Sequence, residues 1–382
     1  MRKKNITIII SIALIALLSI CIINIFKHKK DVSEDSLYDI YVQSYSNLKY
    51  VQIKNIKNGH IEYSKPKDIS FQKNGLTMDS MCSVDNKIYC SIYREHNGNN
   101  LSNKIAVVEN GKIKKYIKIK DEHGPNRLIS DPNHKKAYSM MVIRPYEYNK
   151  NGIPFAEVNT VNDTCKKSFS MKGAVNGYSI KNNYIYTAVT NGTDYGFKNV
   201  PNNYIASINS NNNEVKVLTP KGLNFSPLDI KLTPKNKFYM VSDIIPEKQI
   251  SNPKLSIYNI NGEFEKEIKL SPCCNSIEID KNGLAYVNHI GKKIQETFDG
   301  DTITVIDTNT DKIIDTIHGF KGCLDMYIKD NYLFVTNNIG KNITVIDTNT
   351  RKKIGTIDLG EFEGGGNDIC PAKLVVVKNS KK

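Results

Sequence analysis

The octapeptide ITVIDTNT occurs twice in this chain of 382 residues, at 303–310 and at 343–350. An identical internal duplicate puts a repeat architecture ahead of any other reading. Each copy follows a strand-like run with an aromatic residue, Leu284–Val287 and Leu333–Thr336. The same element stands upstream at Phe238–Val241, Ile185–Ala188, Ala137–Met140, Ile88–Ser91 and Ile40–Gln43. The aromatic residues Tyr41, Tyr89, Tyr138, Tyr186, Tyr239, Tyr286 and Phe334 are spaced by 48, 49, 48, 53, 47 and 48 residues. Within the last full unit, four short β-rich runs (Met326–Ile328, Leu333–Thr336, Ile343–Asp347 and Lys353–Ile357) alternate with Asp, Asn, Gly and Thr turn residues. Four antiparallel strands repeated seven times predict an all-β, seven-bladed β-propeller over residues 38–382.

The chain ends indicate how the ring closes. The first unit begins near Ile40 at its second strand and lacks an inner one. The C-terminal run Lys373–Lys378 has no partner in its own unit and matches inner strands such as Ser276–Asp280. It is expected to complete the first blade, because an open ring exposes a sheet edge and an apolar face.

Ahead of the repeats, residues 6–26 form an uncharged apolar run of 21 residues; about 20 span a bilayer as a helix. Arg2, Lys3 and Lys4 precede it, and Lys27, Lys29 and Lys30 follow. No small-x-small cleavage site follows the run. The organisation read from this is a cytosolic tail (1–5), a transmembrane signal anchor (6–26), a linker (27–37) and a propeller outside the cytoplasm. Cleavage of the anchor, or lipidation at Cys21 after Leu18-Ser19-Ile20, is the alternative. The Lys, Asn and Ile bias points to an AT-rich, Gram-positive source.

At 331–360 the chain reads NYLFVTNNIGKNITVIDTNTRKKIGTIDLG, which resembles the YVTN family of propeller repeats. Residues 283–319 resemble it too, through AYVNH, VIDTNT and DTIHG. The resemblance implies a seven-bladed propeller of an exported or surface-associated kind. Related propellers include lactonases, antibiotic lyases, and surface-layer or nucleic-acid-binding proteins. The motif is structural, so no catalytic residue carries over with it.

Labelling the strands of a blade A to D, the B–C and D–A connections share one face. From the strand B aromatic to strand C is nine residues in the first and last blades and longer in the five between. Such one-sided insertions are expected on a binding face. The candidates there are Arg94, His96, Arg127, Arg144, Tyr146, Tyr148, Tyr195 and Lys198. Arginine forks and tyrosine rings suit an anionic polymer, a glycan or single-stranded nucleic acid, and a protein ligand is also open. Removing the six cations that flank the apolar run from the net charge of +14 leaves +8, which favours a wall polymer or glycan over nucleic acid outside a cell. A monomeric, non-catalytic binding module is the leading expectation.

The alternative is a lactonase-like hydrolase or lyase that uses channel-mouth acids or histidines and a divalent cation. Asp79, Asp229, Asp325 and Asp368 fall at or near inner strands. Cys273, Cys274, Cys323 and Cys370 are assigned to D–A connections, with His289 and His318 near them, as a weaker candidate metal set. The absence of Trp excludes WD40 blades and the Trp-based quinone-dependent dehydrogenase propellers. Eight cysteines are too few for a disulfide scaffold of this length.

Overall fold

The computed structural model describes residues 36–44, 47–57, 59–71, 74–95, 100–120, 124–141, 152–191, 196–242, 253–294, 297–362 and 372–379. Within them the repeat folds as seven antiparallel sheets, each made of four successive strands apart from the first blade. Blades two to seven span 77–118, 125–171, 174–217, 227–269, 274–317 and 323–358. Blade one takes Tyr38–Ser44, Asn47–Lys57 and His60–Tyr63 from the start of the ring and Lys373–Lys378 from its end. The closing pair is antiparallel, from Tyr38 opposite Lys378 to Gln43 opposite Lys373, as the chain ends predict. A further short strand, Lys67–Ser70, pairs with the start of Asn47–Lys57. The candidate anchor lies outside the described residues.

The middle of strand B is mostly apolar and buried because neighbouring blades cover both its sides. Leu333, Phe334 and Val335 are all fully buried, and so are Ala285, Tyr286 and Val287. The core is accordingly divided among the gaps between blades. One cluster joins Tyr239, Val241 and Leu255 of blade five to Ile277, Ala285 and Val287 of blade six. Another joins Tyr38, Ile40 and Val51 of blade one to Phe334, Ile343 and Val345 of blade seven, which seals the ring. The outer strands are the sheet edges and carry charge instead, as in Lys112–Lys118 (KIKKYIK) and Phe264–Lys269 (FEKEIK). Charged edges resist pairing with other chains.

The periodic tyrosine has a second role. Its ring fills the gap between blades, and its hydroxyl reaches the C–D turn of the next blade. Tyr89 donates to Asp163 (2.7 Å), Tyr138 donates to Asn213 (3.2 Å), and Tyr41 accepts the Gly111 N–H (3.2 Å). Blade six adds a small hairpin in its B–C connection, Lys293–Ile294 against Thr297–Phe298, where the sequence carries its extra residues.

Candidate functional site: the axial channel

All seven inner strands line one cavity of about 670 Å³ on the propeller axis. Its wall follows from a feature that strand periodicity does not reveal. Pairing between strands A and B is interrupted near the start of A in blades two to seven. Such bulges re-aim side chains, and here they direct polar groups toward the next inner strand. In blade one the closing strand pairs without interruption.

Counting back from the residue opposite the strand B aromatic aligns the seven strands. Two places back stand Ser80, Arg127, Gly177, Asp229, Ser276, Asp325 and Lys373. Four of these bond the backbone of the following inner strand. Ser80 Oγ accepts the Leu128 N–H (3.3 Å), and Arg127 donates to the Asn176 carbonyl (2.7 Å). Asp229 Oδ2 accepts Ile277 N–H (3.1 Å) and Asp325 Oδ2 accepts Leu374 N–H (3.0 Å). Gly177 carries no side chain because a Cβ there would lie 2.7 Å from Asp229 Cα.

Three places back, Asn176 donates to the Pro227 carbonyl (2.7 Å) and Asn275 to the Leu324 carbonyl (3.1 Å). Other members of these layers make no such bond: Ser276 donates its hydroxyl to Asn288 Oδ1 of its own blade (2.9 Å), and Leu228 and Leu324 are apolar. Asp79 occupies the position of Asn176 and Asn275 but has no donor for a carbonyl. Lys373 occupies the position of Arg127, yet the backbone acceptor on its neighbour, the Asp79 carbonyl, is already taken by Gln43 Nε2 (2.8 Å).

The electrostatics follow from this wall. Lys373 is exposed and lines the channel. Desolvation and the nearby Arg127 guanidinium push its ammonium below the usual lysine value, while Asp325, Asp79 and Asp229 act the other way. Burial raises Asp79 against the pull of Lys373 and Arg127. Burial also raises Asp229, and it lifts Asp325 to about 6. Deeper in, Lys231 pairs with Glu278 at 2.9 Å. Burial opposes the charge on Lys231, but Glu278 and Asp229 together hold it protonated.

Several sequence candidates lie elsewhere than their spacing suggested. Arg127 is on the expected face, but near the start of an inner strand, where it lines the channel. Cys274 and Cys323 open inner strands and are buried, with thiols pushed up by desolvation to about 11 and about 12. Cys323 donates to the His289 carbonyl (3.1 Å). His289 is buried, with Nδ1 at 3.0 Å from the Pro272 carbonyl and Nε2 at 2.9 Å from Thr304 Oγ1. Cys273 is half-buried and His318 lies 3.4 Å from Thr302 Oγ1. Among the described residues, no three His, Cys, Asp or Glu side chains come together to hold a metal ion. Asp229 and Asp325 line the channel with Lys373, and their charges, with that of Asp79, favour its ammonium.

Arg94 lies over the Tyr93 ring, 4.9 Å from its centroid, and Lys198 is exposed. His96, Arg144, Tyr146, Tyr148, Tyr195, Asp368 and Cys370 lie outside the described residues. Sequence reasoning missed Lys231, Glu278 and Lys373 as site residues. Aligning each inner strand to its strand B aromatic would have found them.

No family model and no curated protein sequence matches the chain. Among solved structures it is similar to apo AztD from Citrobacter koseri, with a TM-score of 0.51 at 14% identity over 92% of this chain and 89% of that one. A second Citrobacter koseri AztD structure gives 0.49 at 15% identity over 92% and 89%. A nidogen/laminin complex gives 0.47 at 10% identity over 90% and 99%. At this identity the AztD likeness shows the propeller fold alone.

Proposed function

We propose that the protein is a membrane-anchored, extracytoplasmic propeller of the YVTN repeat type. It binds an anionic polymer or glycan across the B–C face and carries out no reaction on it. The observation that carries this reading is the Tyr93–Arg94 stack. It sits on the B–C hairpin of blade two, whose strands run 9 and 10 residues against 6 and 6 in blade seven. The hairpin therefore rises from the ring on the side where the inner strands begin, the side that also holds Arg127 and Lys373. A guanidinium over an aromatic ring is a pairing suited to carboxylate or phosphate met in the plane of its fork. The +8 charge outside the anchor region supports the same partner class.

For a hydrolase or lyase there is only the Asp325 carboxyl, which burial raises to about 6. That carboxylate is engaged by the Leu374 N–H, which gives it a structural task.

The test is a pull-down of cell-wall polymer by the full chain in detergent, across a salt series. Arg94→Ala should lower retention roughly threefold, as one exposed charge does, and flatten the salt dependence. Arg351→Asn, on the opposite face, should change neither. Equal losses from the two variants would mean the wrong face, and no retained polymer with the intact chain would overturn the reading.

A further inference from the structure

We infer that the outer strand of blade two, Lys112–Lys118, docks on the anionic phospholipid surface of the membrane that anchors the chain. The inference rests on the anchor proposed above and concerns a surface apart from the B–C hairpins.

The strand reads KIKKYIK, with four lysines and no acid. Its isoleucines hold it to the ring: Ile113 packs against the core shared with blade one and Ile117 joins the core shared with blade three. Lys112, Lys114, Lys115, Tyr116 and Lys118 are exposed. Asp163 of blade three engages Lys115 at 2.9 Å. Among the described residues, Lys112, Lys114 and Lys118 make no ion pair.

Protection of a sheet edge does not ask for a single sign of charge. Charge of either sign deters pairing with another chain. Blade five meets that need with two glutamates against two lysines, FEKEIK, and blade six with one lysine and one aspartate, KIIDTI. The outer strand of blade three also lacks acids, but Glu157 of its own blade engages Lys166 at 3.4 Å. Blade two alone carries four lysines in seven residues.

The residue types decide the partner. Arginine forks suit a ligand of fixed shape, whereas lysine is a compact, strongly hydrated point charge. Lysines along an exposed edge, with a tyrosine among them, suit a surface of many anionic headgroups, where a tyrosine ring lies at headgroup level. Position agrees with this. The linker 27–37 enters the ring at blade one, and its eleven residues reach about 40 Å at most. Blade two packs directly on blade one, with Ile88, Cys90 and Ala106 against Tyr41, Leu48 and Tyr50. The basic strand is thus carried on the blade next to the tether.

The test exploits a chain without tryptophan. Full-length Tyr116→Trp, reconstituted in lipid discs, places a single indole on the strand. Acrylamide should quench it roughly threefold less in discs containing phosphatidylglycerol than in discs of phosphatidylcholine alone, since each lysine near an anionic surface adds about fivefold to the docked population. Salt at about 1 M, where the screening length is about 3 Å, should abolish the difference. Adding Lys114→Ala and Lys118→Ala should abolish it too. Tyr184→Trp, at an exposed position of blade four, should be quenched equally in both discs. Equal quenching of Tyr116→Trp in the two discs, or an equally large difference for Tyr184→Trp, overturns the docking and leaves the anchor standing. A chain that enters neither disc overturns the anchor reading and the docking with it. Shielding that comes only from added wall polymer, and not from anionic lipid, overturns the inference and gives the strand to the polymer.

Discussion

The two identical octapeptides make nearly identical structures and then part company at the next residue. Strands Thr302–Asp307 and Asn342–Asp347 share one burial pattern. Asp307 accepts the Asn309 N–H at 2.9 Å, and Asp347 accepts that of Asn349 at 2.8 Å. The following residue is left-handed in both, Asp311 at φ 53° and Arg351 at φ 58°. Asp311 is buried and accepts from the Tyr239 hydroxyl, from Lys237 (2.8 Å) and from Lys266 (2.7 Å), all in blade five. Arg351 is half-exposed and donates back to Asp315 of blade six at 2.7 Å. The repeat thus encodes the turn, and the residue after it decides what the turn holds. An acceptor draws in the neighbouring tyrosine and its lysines, as Asp163 also does for Tyr89, Lys87 and Lys115. A cation makes only a surface pair.

The sharpest break of this comparison is Asp311→Asn, which keeps a residue tolerant of positive φ but removes the charge. It should cost about 2–3 kcal/mol at pH 7, since a buried carboxylate with three donors is lost. Burial alone would raise the Asp311 carboxyl, but the bonds from Lys237, Lys266 and Tyr239 outweigh it and hold its pKa below the usual value. Its contribution is therefore present above the unfolded value of about 3.9 and is lost as pH falls through the lower folded value. Urea denaturation across that range should show the gap between variant and parent closing on acidification. A gap independent of pH would remove the charge from the explanation.

Asp325 at the axis should behave with the opposite sign. Its folded pKa of about 6 lies above the unfolded value, so the native state holds the proton longer. Stability from this group falls as pH rises from about 4 to about 6, by on the order of 1–2 kcal/mol given the water in the channel. Asp325→Asn should flatten the stability profile over that interval, and an unchanged slope would contradict the assignment. The smallest effect belongs to Arg351→Asn, about 0–1 kcal/mol for an exposed pair, falling further in salt. A loss rivalling that of Asp311→Asn would show that the two turns are equivalent after all.

Much of the ring was legible because its signal is periodic. The seven aromatics mark strand B, since a strand covered by blades on both sides is mostly apolar in its middle. The closing strand was legible as an apolar run without a partner in its own unit. The wall of the channel was harder to read. Asp229 and Asp325 stood out as acids near inner strands, but what they hold depends on bulges that shift pairing by a residue, and on backbone groups about 48 positions further along the chain. Arg127 was legible as a residue of this face, but its place in the channel wall depends on the same bulges.

The sequence by itself determined the number of blades, the direction of the insertions and the way the two ends meet. Those properties depend on alternation, spacing and turn chemistry, which act over a few residues and repeat. The tertiary structure decided which polar groups at the axis find partners. That depends on three strands from distant parts of the chain, where Gln43 takes the Asp79 carbonyl and leaves Lys373 without it. A side chain that bonds the next strand and one that does not look alike in a sequence, because the difference lies in a backbone atom that some other residue has already claimed.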